Sequence, residues 1–467
     1  MEAEFAREVL SRLPLAEAVL SLWRWVADPV FLLSVFTQHR GQGYEKEIRF
    51  EVLVQLIADA LLEHQGSGKK SFARAREEGL LTASVQAVYQ KLGRMPLGLS
   101  EAWLAESTAR LRPVYPEAAQ LPVAPALRAL EVIIVDGKAI KRVAKRLQPL
   151  RGRQGGVLGG KALVALELRS GVVVAMATHA DGETNEAKLV PALLPQVREQ
   201  VAGSRLWVAD RQFCDLTQPT AFATGEDHFL VRYHPKTPFY PEAARPAQRG
   251  QDAQGRVWEQ DWGWLGSDHA KQRRFVRRLT LYRPGEETII LLTDLLDAAQ
   301  VPATDLFDLY LARWSIERVF QQITEVFHLQ TLIGTTPQGT VFQFAFCVLL
   351  YNMVQVVRAY VATAQARPVP TISTELFFDD VHRQLVAFTE LVPAAQGESL
   401  FPGLPTEEEL RMQLTRLLAT VWTTRWLKAP PKKRKAPVPR TPIRGNQTSV
   451  YRLVAAYHKQ RVTSSSQ

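Results

Sequence analysis

Residues 130–138 read LEVIIVDGK, an apolar run that ends in an aspartate and a glycine. A short, continuous apolar run bounded by a turn signal is typical of a strand buried within a sheet. The same pattern returns at residues 205–210, where RLWVAD also ends in an aspartate. These two runs predict buried strands of one domain, and each predicts an aspartate at the point where its strand ends.

The segments around these two runs predict a mixed sheet together with helices. Arg169-Ser-Gly171 separates two apolar runs and is a hairpin signal. The predicted strands lie at 130–135, 162–167, 172–177, 205–209, 228–233, 274–282 and 288–293, and the predicted helices at 185–201, about 304–328 and 339–365. This order of strands and helices is typical of an α/β fold.

A chain of 467 residues is long enough for two to four domains or subdomains. Apolar residues at helical spacing predict an all-helical region over residues 1–120. We expect the α/β core at 128–335, with a β-rich insertion at about 215–290. A helical region at 336–427 and a basic tail at 428–467 complete the predicted organisation.

The net charge of +10 comes entirely from the C-terminal part of the chain. After Glu409 the sequence has 13 Lys and Arg and no acidic residue, whereas the first 409 residues carry 44 basic and 47 acidic side chains. The densest stretch, 428–435, is rich in proline and is expected to be extended and poorly ordered. A polyanion is the natural partner of this charge. The alternatives are a solubilising tail and a nuclear-import signal.

Composition argues against a secreted or membrane-embedded protein. Two cysteines, Cys214 and Cys347, do not imply a disulfide framework and fit a reducing compartment. The N-terminal residues MEAEFAREVLSRL lack the basic start and apolar run of a secretory signal. Polar residues at 343, 352 and 355 interrupt the most apolar helix candidate, 341–357, which therefore predicts a buried core helix rather than a membrane span.

Residues 310–320, YLARWSIERVF, carry charged groups within an apolar helix. On one unbroken helix, Tyr310, Arg313 and Glu317 fall within an arc of about 60°. The neighbours Leu311, Trp314, Ile316, Val319 and Phe320 are expected to be buried. An ordinary i,i+4 ion pair is the alternative, but the order Arg then Glu is the less favourable one for helix support.

Asp136, Asp210 and Glu317 form a candidate set of three carboxylates. Side chains at strand ends project into the clefts where sites form in α/β sheets, although single aspartates there are often turn or capping residues. Three converging carboxylates repel one another unless a cation is present. Hard oxygen ligands suit Mg²⁺ or Mn²⁺. A pair of such ions supports in-line phosphoryl displacement.

The three carboxylates resemble the Asp-Asp-Glu triad of cut-and-paste transposases with a ribonuclease-H-like fold. The nearest group is the insertion-sequence transposases with a Tyr-Arg-Glu-Lys signature, spaced Y-x2-R-x3-E-x6-K, and Tyr310, Arg313 and Glu317 stand at that spacing. The resemblance extends over about residues 130–360. The further matching stretches are Asp136-Gly-Lys138, Asp210-Arg-Gln-Phe213 and Leu292-Thr-Asp-Leu295.

The resemblance implies a DNA transposase of the bacterial cytoplasm, associated with the nucleoid. It implies that Asp136, Asp210 and Glu317 hold two Mg²⁺ or Mn²⁺ ions and carry the catalysis. Transposon ends and target DNA would be the partners, with a homodimer on DNA and no membrane. The ends would be cut by hydrolysis, and the freed 3′-hydroxyls would be joined to target DNA. The implied DNA-binding residues are Tyr310, Arg313, Arg211, Lys138, Lys141 and Arg142.

Residues 138–161 hold eight Lys or Arg and no acid, directly after the first aspartate. A basic loop there would hold the DNA flank, and a solvated surface loop is the alternative. Three tryptophans of the insertion, Trp258, Trp262 and Trp264, are candidates for base stacking, with core packing as the alternative.

One position departs from the signature. The lysine is expected at position 324, where the chain has Thr324. Its absence removes one phosphate contact without touching the carboxylates, and it predicts weakened positioning of DNA ends. Two alternative functions therefore stand beside the transposase: a DNA-binding protein derived from a transposase, and a metal-dependent nuclease without strand transfer.

Overall fold

A computed structural model describes residues 2–43, 45–62, 67–141, 147–151, 156–283, 285–325, 333–392, 400–401, 403–428 and 447–465. Arg142, three other basic residues of the run 138–161, and most of the stretch 428–435 lie outside these ranges.

The described α-helices confirm the helical regions predicted at the two ends of the chain. They are α1 Glu2–Ser11, α2 Pro14–Val26, α3 Pro29–His39, α4 Phe50–Leu62, α5 Gly68–Glu77, α6 Val85–Gly93, α7 Leu97–Leu111, α8 Val190–Gln200, α9 Thr217–Phe222, α10 Ala303–Ala312, α11 Trp314–Glu325, α12 Pro337–Ala364, α13 Thr374–Leu391, α14 Glu407–Leu418 and α15 Val450–Ser465. Polar side chains accept hydrogen bonds from first-turn N–H groups at several of their N-termini, such as Asp28, Ser84 and Thr336.

The described strands confirm a mixed sheet at the centre of the chain. They are β1 Glu131–Ile140, β2 Val157–Leu158, β3 Gly160–Glu167, β4 Val173–His179, β5 Arg205–Ala209, β6 His228–Arg232, β7 Phe239–Pro241, β8 Gln248–Gln251, β9 Val257–Leu265, β10 Arg274–Leu281, β11 Ile289–Thr293 and β12 Thr448–Ser449. Ten of them form one sheet in the order β4-β3-β1-β5-β6-β11-β10-β9-β7, with β8 paired to β9.

The parallel part of the sheet consists of β1, β5 and β6, and the other pairings are antiparallel. The β-rich insertion therefore continues the core sheet through β11 instead of forming a sheet of its own. The predicted hairpin also forms, because β3 and β4 pair across a turn in which Gly171 has φ +68°. A positive φ is easily reached by glycine, which has no Cβ.

Strand β1 is longer than its apolar run predicted. The run was expected to end at Asp136, but the strand continues to Ile140. The cause is its second neighbour: residues 136–140 pair with 164–160 of β3, after the parallel partner β5 has ended at Ala209. Asp136 is therefore held in a strand by one neighbour and borders the end of the other.

The main hydrophobic cluster of the described residues connects helices α2–α7, the sheet and α12. Helix α12 packs against α7, and α7 packs against β4. Asn352 of α12 bonds the backbone of edge strand β4, because its amide donates to the Val173 carbonyl and its amide oxygen accepts from the Val173 N–H, at 2.8 and 2.9 Å. The polar residue that interrupts this apolar helix thus satisfies a sheet edge.

Among the described helices, α12 is long and apolar enough to cross a membrane, and the bent pair α2 and α3 would pass the same test if it were one span. The apolar window of α12 is entirely buried within the protein. Such burial fits the predicted core helix.

The C-terminal residues 447–465 dock on the sheet domain. Strand β12 pairs in parallel with β2, and Arg452 of α15 forms ion pairs of 2.7 Å with both Asp181 and Glu183, in the loop that follows β4. The predicted basic tail therefore ends in an anchored strand and helix.

Candidate active site

The sheet register places Asp136 and Asp210 beside each other. Val135 of β1 pairs with Ala209 of the parallel strand β5, and each aspartate is the next residue along its chain. Asp136 Oδ1 accepts a hydrogen bond from the Gly137 N–H at 2.9 Å. Asp210 caps the short 3₁₀ turn Arg211–Phe213. The capping role predicted as an alternative is thus present at Asp210, together with its position at the strand end.

Arg313 joins the carboxylates of the strands and of α11. Its guanidinium lies 3.8 Å from Asp136 Oδ2 and 3.3 Å from Glu317 Oε1, and the residue is only 4% exposed. Burial alone would lower the pKa of Arg313, but Tyr310, Asp136, Asp210 and Glu317 together raise it above its ordinary value. Asp136 and Glu317 therefore share one arginine as their counter-charge, and Asp210 lies near enough to add to its electrostatic surroundings.

The surroundings of Asp136 disfavour a negative charge on its carboxylate. Burial raises its pKa to about 7, against the lowering effects of Arg313 and the Gly137 N–H. Glu186 and Glu317 raise the pKa further by repulsion. A site that disfavours its own ionised carboxylate has the charge balance that a divalent cation would correct.

The helix predicted at 304–328 is divided at Arg313. Helix α10 ends at Ala312 and α11 begins at Trp314, with 3₁₀-type hydrogen bonds from Arg313 N to Tyr310 O and from Ile316 N to Arg313 O, at 3.0 and 3.1 Å. The prediction of one continuous helical face is therefore wrong. Tyr310 nevertheless stays beside Arg313, whose guanidinium carbon lies 5.6 Å from the centre of the phenol ring.

The break also changes the surface of this segment. Trp314 was predicted to be buried, but it is 50% exposed, next to Arg313, whose guanidinium carbon is 5.4 Å from its ring centre. Ile316, Val319 and Phe320 are buried as predicted. Leu311, also predicted to be buried, is half-buried. Because a residue at a helix junction no longer follows the helical period, the pattern of 310–320 predicted the wrong environment for Trp314.

The carboxylates do not form a closed metal cage. Among the described residues, no three His, Cys, Asp or Glu side chains lie close enough together to hold an ion. The donor chemistry nevertheless fits Mg²⁺ or Mn²⁺, because the oxygen ligands carry an excess of negative charge. Asp136, Asp210 and Glu317 are the residues that would hold it.

The predicted DNA-binding residues lie around the carboxylates with different partners. Arg211 forms an ion pair with Glu287 at 3.1 Å, and Arg232 approaches the same carboxylate at 2.8 Å. The ammonium of Lys138 lies 5.3 Å from the ring centre of Phe320 on α11, and Lys141 is exposed. Arg142 lies outside the described residues.

Of the three insertion tryptophans, Trp262 is a core residue. It is 1% exposed, and its indole N–H donates to the Leu296 carbonyl at 2.9 Å. Trp258 and Trp264 are half-buried. The core-packing alternative is therefore right for Trp262.

One polar residue of this region, Glu186, was not predicted from the sequence. Glu186 lies beside the Asp136 strand, and its carboxylate binds Lys161 and the amide of Gln212. No spacing rule singles out this position. The one available signal was Asn185, a good N-cap residue, which places Glu186 at the start of a helical turn.

The fold and the site define an α/β domain with acidic residues where the pairing between two neighbouring parallel strands ends. The family model described as transposase DDE domain matches residues 128–353, and this part of the chain belongs to that family. No curated protein matches the chain. The resemblance to a DDE transposase is thus confirmed, while the group with the Tyr-Arg-Glu-Lys signature stays a prediction.

Proposed function

We propose that the protein is a DNA transposase of the Tyr-Arg-Glu-Lys group, with a ribonuclease-H-like catalytic domain. The observation that supports the proposal is the register that sets Asp136 beside Asp210, together with Arg313, whose guanidinium contacts both Asp136 and Glu317. The strand order β4-β3-β1-β5-β6, with three parallel strands and an antiparallel hairpin, supports the proposed fold.

In this proposal, Asp136, Asp210 and Glu317 are the catalytic carboxylates and hold two Mg²⁺ or Mn²⁺ ions. Ions bound there would activate the attacking water or 3′-hydroxyl and stabilise the leaving oxygen. Two strands and a helix hold the three carboxylates, and this fixed geometry would orient the reacting groups. Hydrolysis at the transposon end and transfer of the 3′-hydroxyl to target DNA would use the same residues.

Arg313 has a second role in this proposal. In the structure it balances Asp136 and Glu317, and cations bound by the carboxylates would release the guanidinium for a DNA phosphate. Tyr310 lies beside it. Lys138, Lys141 and Arg211 are further proposed phosphate contacts, and so is Arg142, which lies outside the described residues. The protein would act as a homodimer on paired ends, in the bacterial cytoplasm.

Metal-dependent cleavage tests the proposal directly. A supercoiled plasmid carrying the sequences that flank the coding region is incubated with the full chain, with Mg²⁺, Mn²⁺ or a chelator. We expect cutting in either metal, none in the chelator, and a loss of about a hundredfold or more for Glu317→Gln, because the amide cannot supply the anionic ligand.

The products separate the alternative functions. Cutting followed by joined strand-transfer products supports a transposase, and cutting without them supports a nuclease. End binding without any cutting favours a DNA-binding protein derived from a transposase. Glu317→Gln that cuts as fast as wild type would remove Glu317 from the proposed triad.

Thr324 gives a separate prediction about DNA affinity. It lies seven residues after Glu317 on α11, hence on nearly the same helix face, and its hydroxyl donates to the Phe320 carbonyl at 2.7 Å. Thr324→Lys is expected to strengthen binding to end DNA and to steepen its salt dependence by about one phosphate contact. Thr324→Met is the control, because methionine is similar in length to lysine but uncharged. Equal salt slopes for the two variants would contradict the prediction.

A further inference from the structure

Glu186 is a buried carboxylate next to the candidate active site. The proposed chemistry does not use this residue. It follows the N-cap residue Asn185 at the start of a 3₁₀ turn and is 8% exposed. One carboxylate oxygen, Oε1, pairs with the ammonium of Lys161 on β3. The other, Oε2, accepts from the side-chain amide of Gln212. Each oxygen therefore binds a different segment of the domain.

Gly137 gives Glu186 its third contact. A Cβ at position 137 would overlap the carboxyl group of Glu186, and no rearrangement short of moving that group would relieve the overlap. Glycine at this position thus allows the carboxylate to lie directly against the backbone of β1. Gly137 adjoins Asp136, and Gln212 is two residues after Asp210. Glu186 consequently contacts the neighbours of both aspartates.

The groups around Glu186 explain why a carboxylate is stable at this buried position. A buried carboxylate needs a charged or hydrogen-bonding partner for each of its oxygens, and Lys161 and Gln212 provide them. Lys161 belongs to the basic run predicted to hold DNA, but this pairing commits its ammonium to the protein interior, where its side chain is 13% exposed. A basic residue of a solvated surface loop would be exposed, so that alternative does not explain the buried pair of Lys161 and Glu186. A role in connecting two segments of the domain does explain it.

We infer that Glu186 is a positioning residue that holds the Asp136 and Asp210 segments at a fixed separation, together with Lys161, Gln212 and the close contact at Gly137. The inference rests on the proposed metal-dependent function of those aspartates. Removing a group that contacts metal ligands and orients them commonly lowers metal affinity or activity by about 10–100-fold. Glu186 would act in this way without contacting DNA.

Glu186→Gln tests the inference by removing the charge that pairs with Lys161 while keeping the side-chain shape. We expect Mn²⁺ affinity, measured on the full chain without DNA by the electron paramagnetic resonance of free Mn²⁺, to fall about 10–100-fold. Plasmid cleavage should require correspondingly more metal, and end-DNA binding should stay within about twofold. Glu199→Gln is the matched control, because Glu199 is an exposed carboxylate on α8 of the same region.

Gly137→Ala provides a second test that leaves every charge in place. The added methyl group should displace Glu186 and lower Mn²⁺ affinity about as much as Glu186→Ala does. The double variant Gly137→Ala/Glu186→Ala should then be no worse than either single variant, because the overlap disappears with the carboxylate. Additive losses, or a Glu186→Gln variant with wild-type Mn²⁺ affinity, would overturn the inference.

The two readouts separate this inference from the proposed function. Wild-type protein that binds Mn²⁺ but cuts no DNA contradicts the transposase activity, while the Mn²⁺ affinities of the variants still decide the role of Glu186. Wild-type protein that binds no Mn²⁺ overturns both.

Discussion

Asp136→Asn is expected to abolish metal-dependent cleavage of end DNA, by about a thousandfold or more, and to leave end binding within several-fold. The asparagine oxygen can still accept the hydrogen bond that Asp136 Oδ1 takes from the Gly137 N–H. The amide is neutral, however, and cannot serve as the anionic ligand of a divalent cation. The plasmid assay measures the loss of cutting, and a gel-shift assay with labelled end DNA measures the binding.

Thermal unfolding distinguishes lost chemistry from a misfolded variant. The pKa of Asp136 is raised to about 7 in the folded protein, mainly by burial, above its ordinary value of 3.8. A carboxyl group raised in this way stabilises the fold at acidic pH, and that contribution is lost as the pH rises through about 7. At pH 8 without metal, Asp136→Asn should therefore unfold at the wild-type temperature or above it.

Asp268→Asn is the control for this prediction, because Asp268 is a surface aspartate whose side chain is 76% exposed and pairs with Arg273 at a turn. It should cut DNA as wild type does. Cutting retained by Asp136→Asn would place the catalytic metal site elsewhere and would also remove the basis for the proposed role of Glu186.

Seven of the twelve described strands could be predicted from the sequence, five of them from continuous apolar runs, whereas β2, β7, β8, β9 and β12 were not predicted because they are short or interrupted by polar residues. The run at 205–209 matches β5 at both ends, and the hairpin of β3 and β4 follows from its turn residues. The continuation of β1 beyond Asp136 could not be predicted in this way. It depends on pairing with β3. Asp136, Gly137 and Lys138 interrupt the apolar run, so the sequence pattern does not show that the strand continues.

The site could be predicted in its members but not in its geometry. The spacing of Tyr310, Arg313 and Glu317 was informative, yet the helical count assumed an unbroken helix and missed the junction at Arg313. The interaction of Arg313 with Asp136 joins positions far apart in sequence and depends on how α11 packs on β1. Glu186 was missed for the same reason, since its three contacts come from three separate segments.

Arg313→Gln is expected to destabilise the metal-free protein and to reduce DNA cleavage about a hundredfold. Without the guanidinium, Asp136 and Glu317 lose the counter-charge that they share. Breaking a fully buried ion pair costs about 3–5 kcal/mol, but the Glu317 side chain is 44% exposed and partly screened by water. We therefore expect the free energy of unfolding at pH 8, from urea titration in a chelator, to fall by about 2 kcal/mol.

Divalent cations should reverse much of this loss, because they would take over the neutralisation of the carboxylates. We expect the urea midpoint of Arg313→Gln to rise more with Mn²⁺ than that of wild type does, and Mn²⁺ itself to bind more tightly in the variant. Arg318→Gln is the control, since Arg318 is an exposed arginine on the same helix. Equal destabilisation with and without Mn²⁺ would show that the arginine and the cation do not compete for the same carboxylates. Cleavage lost while Mn²⁺ restores full stability would instead assign Arg313 to the DNA phosphate.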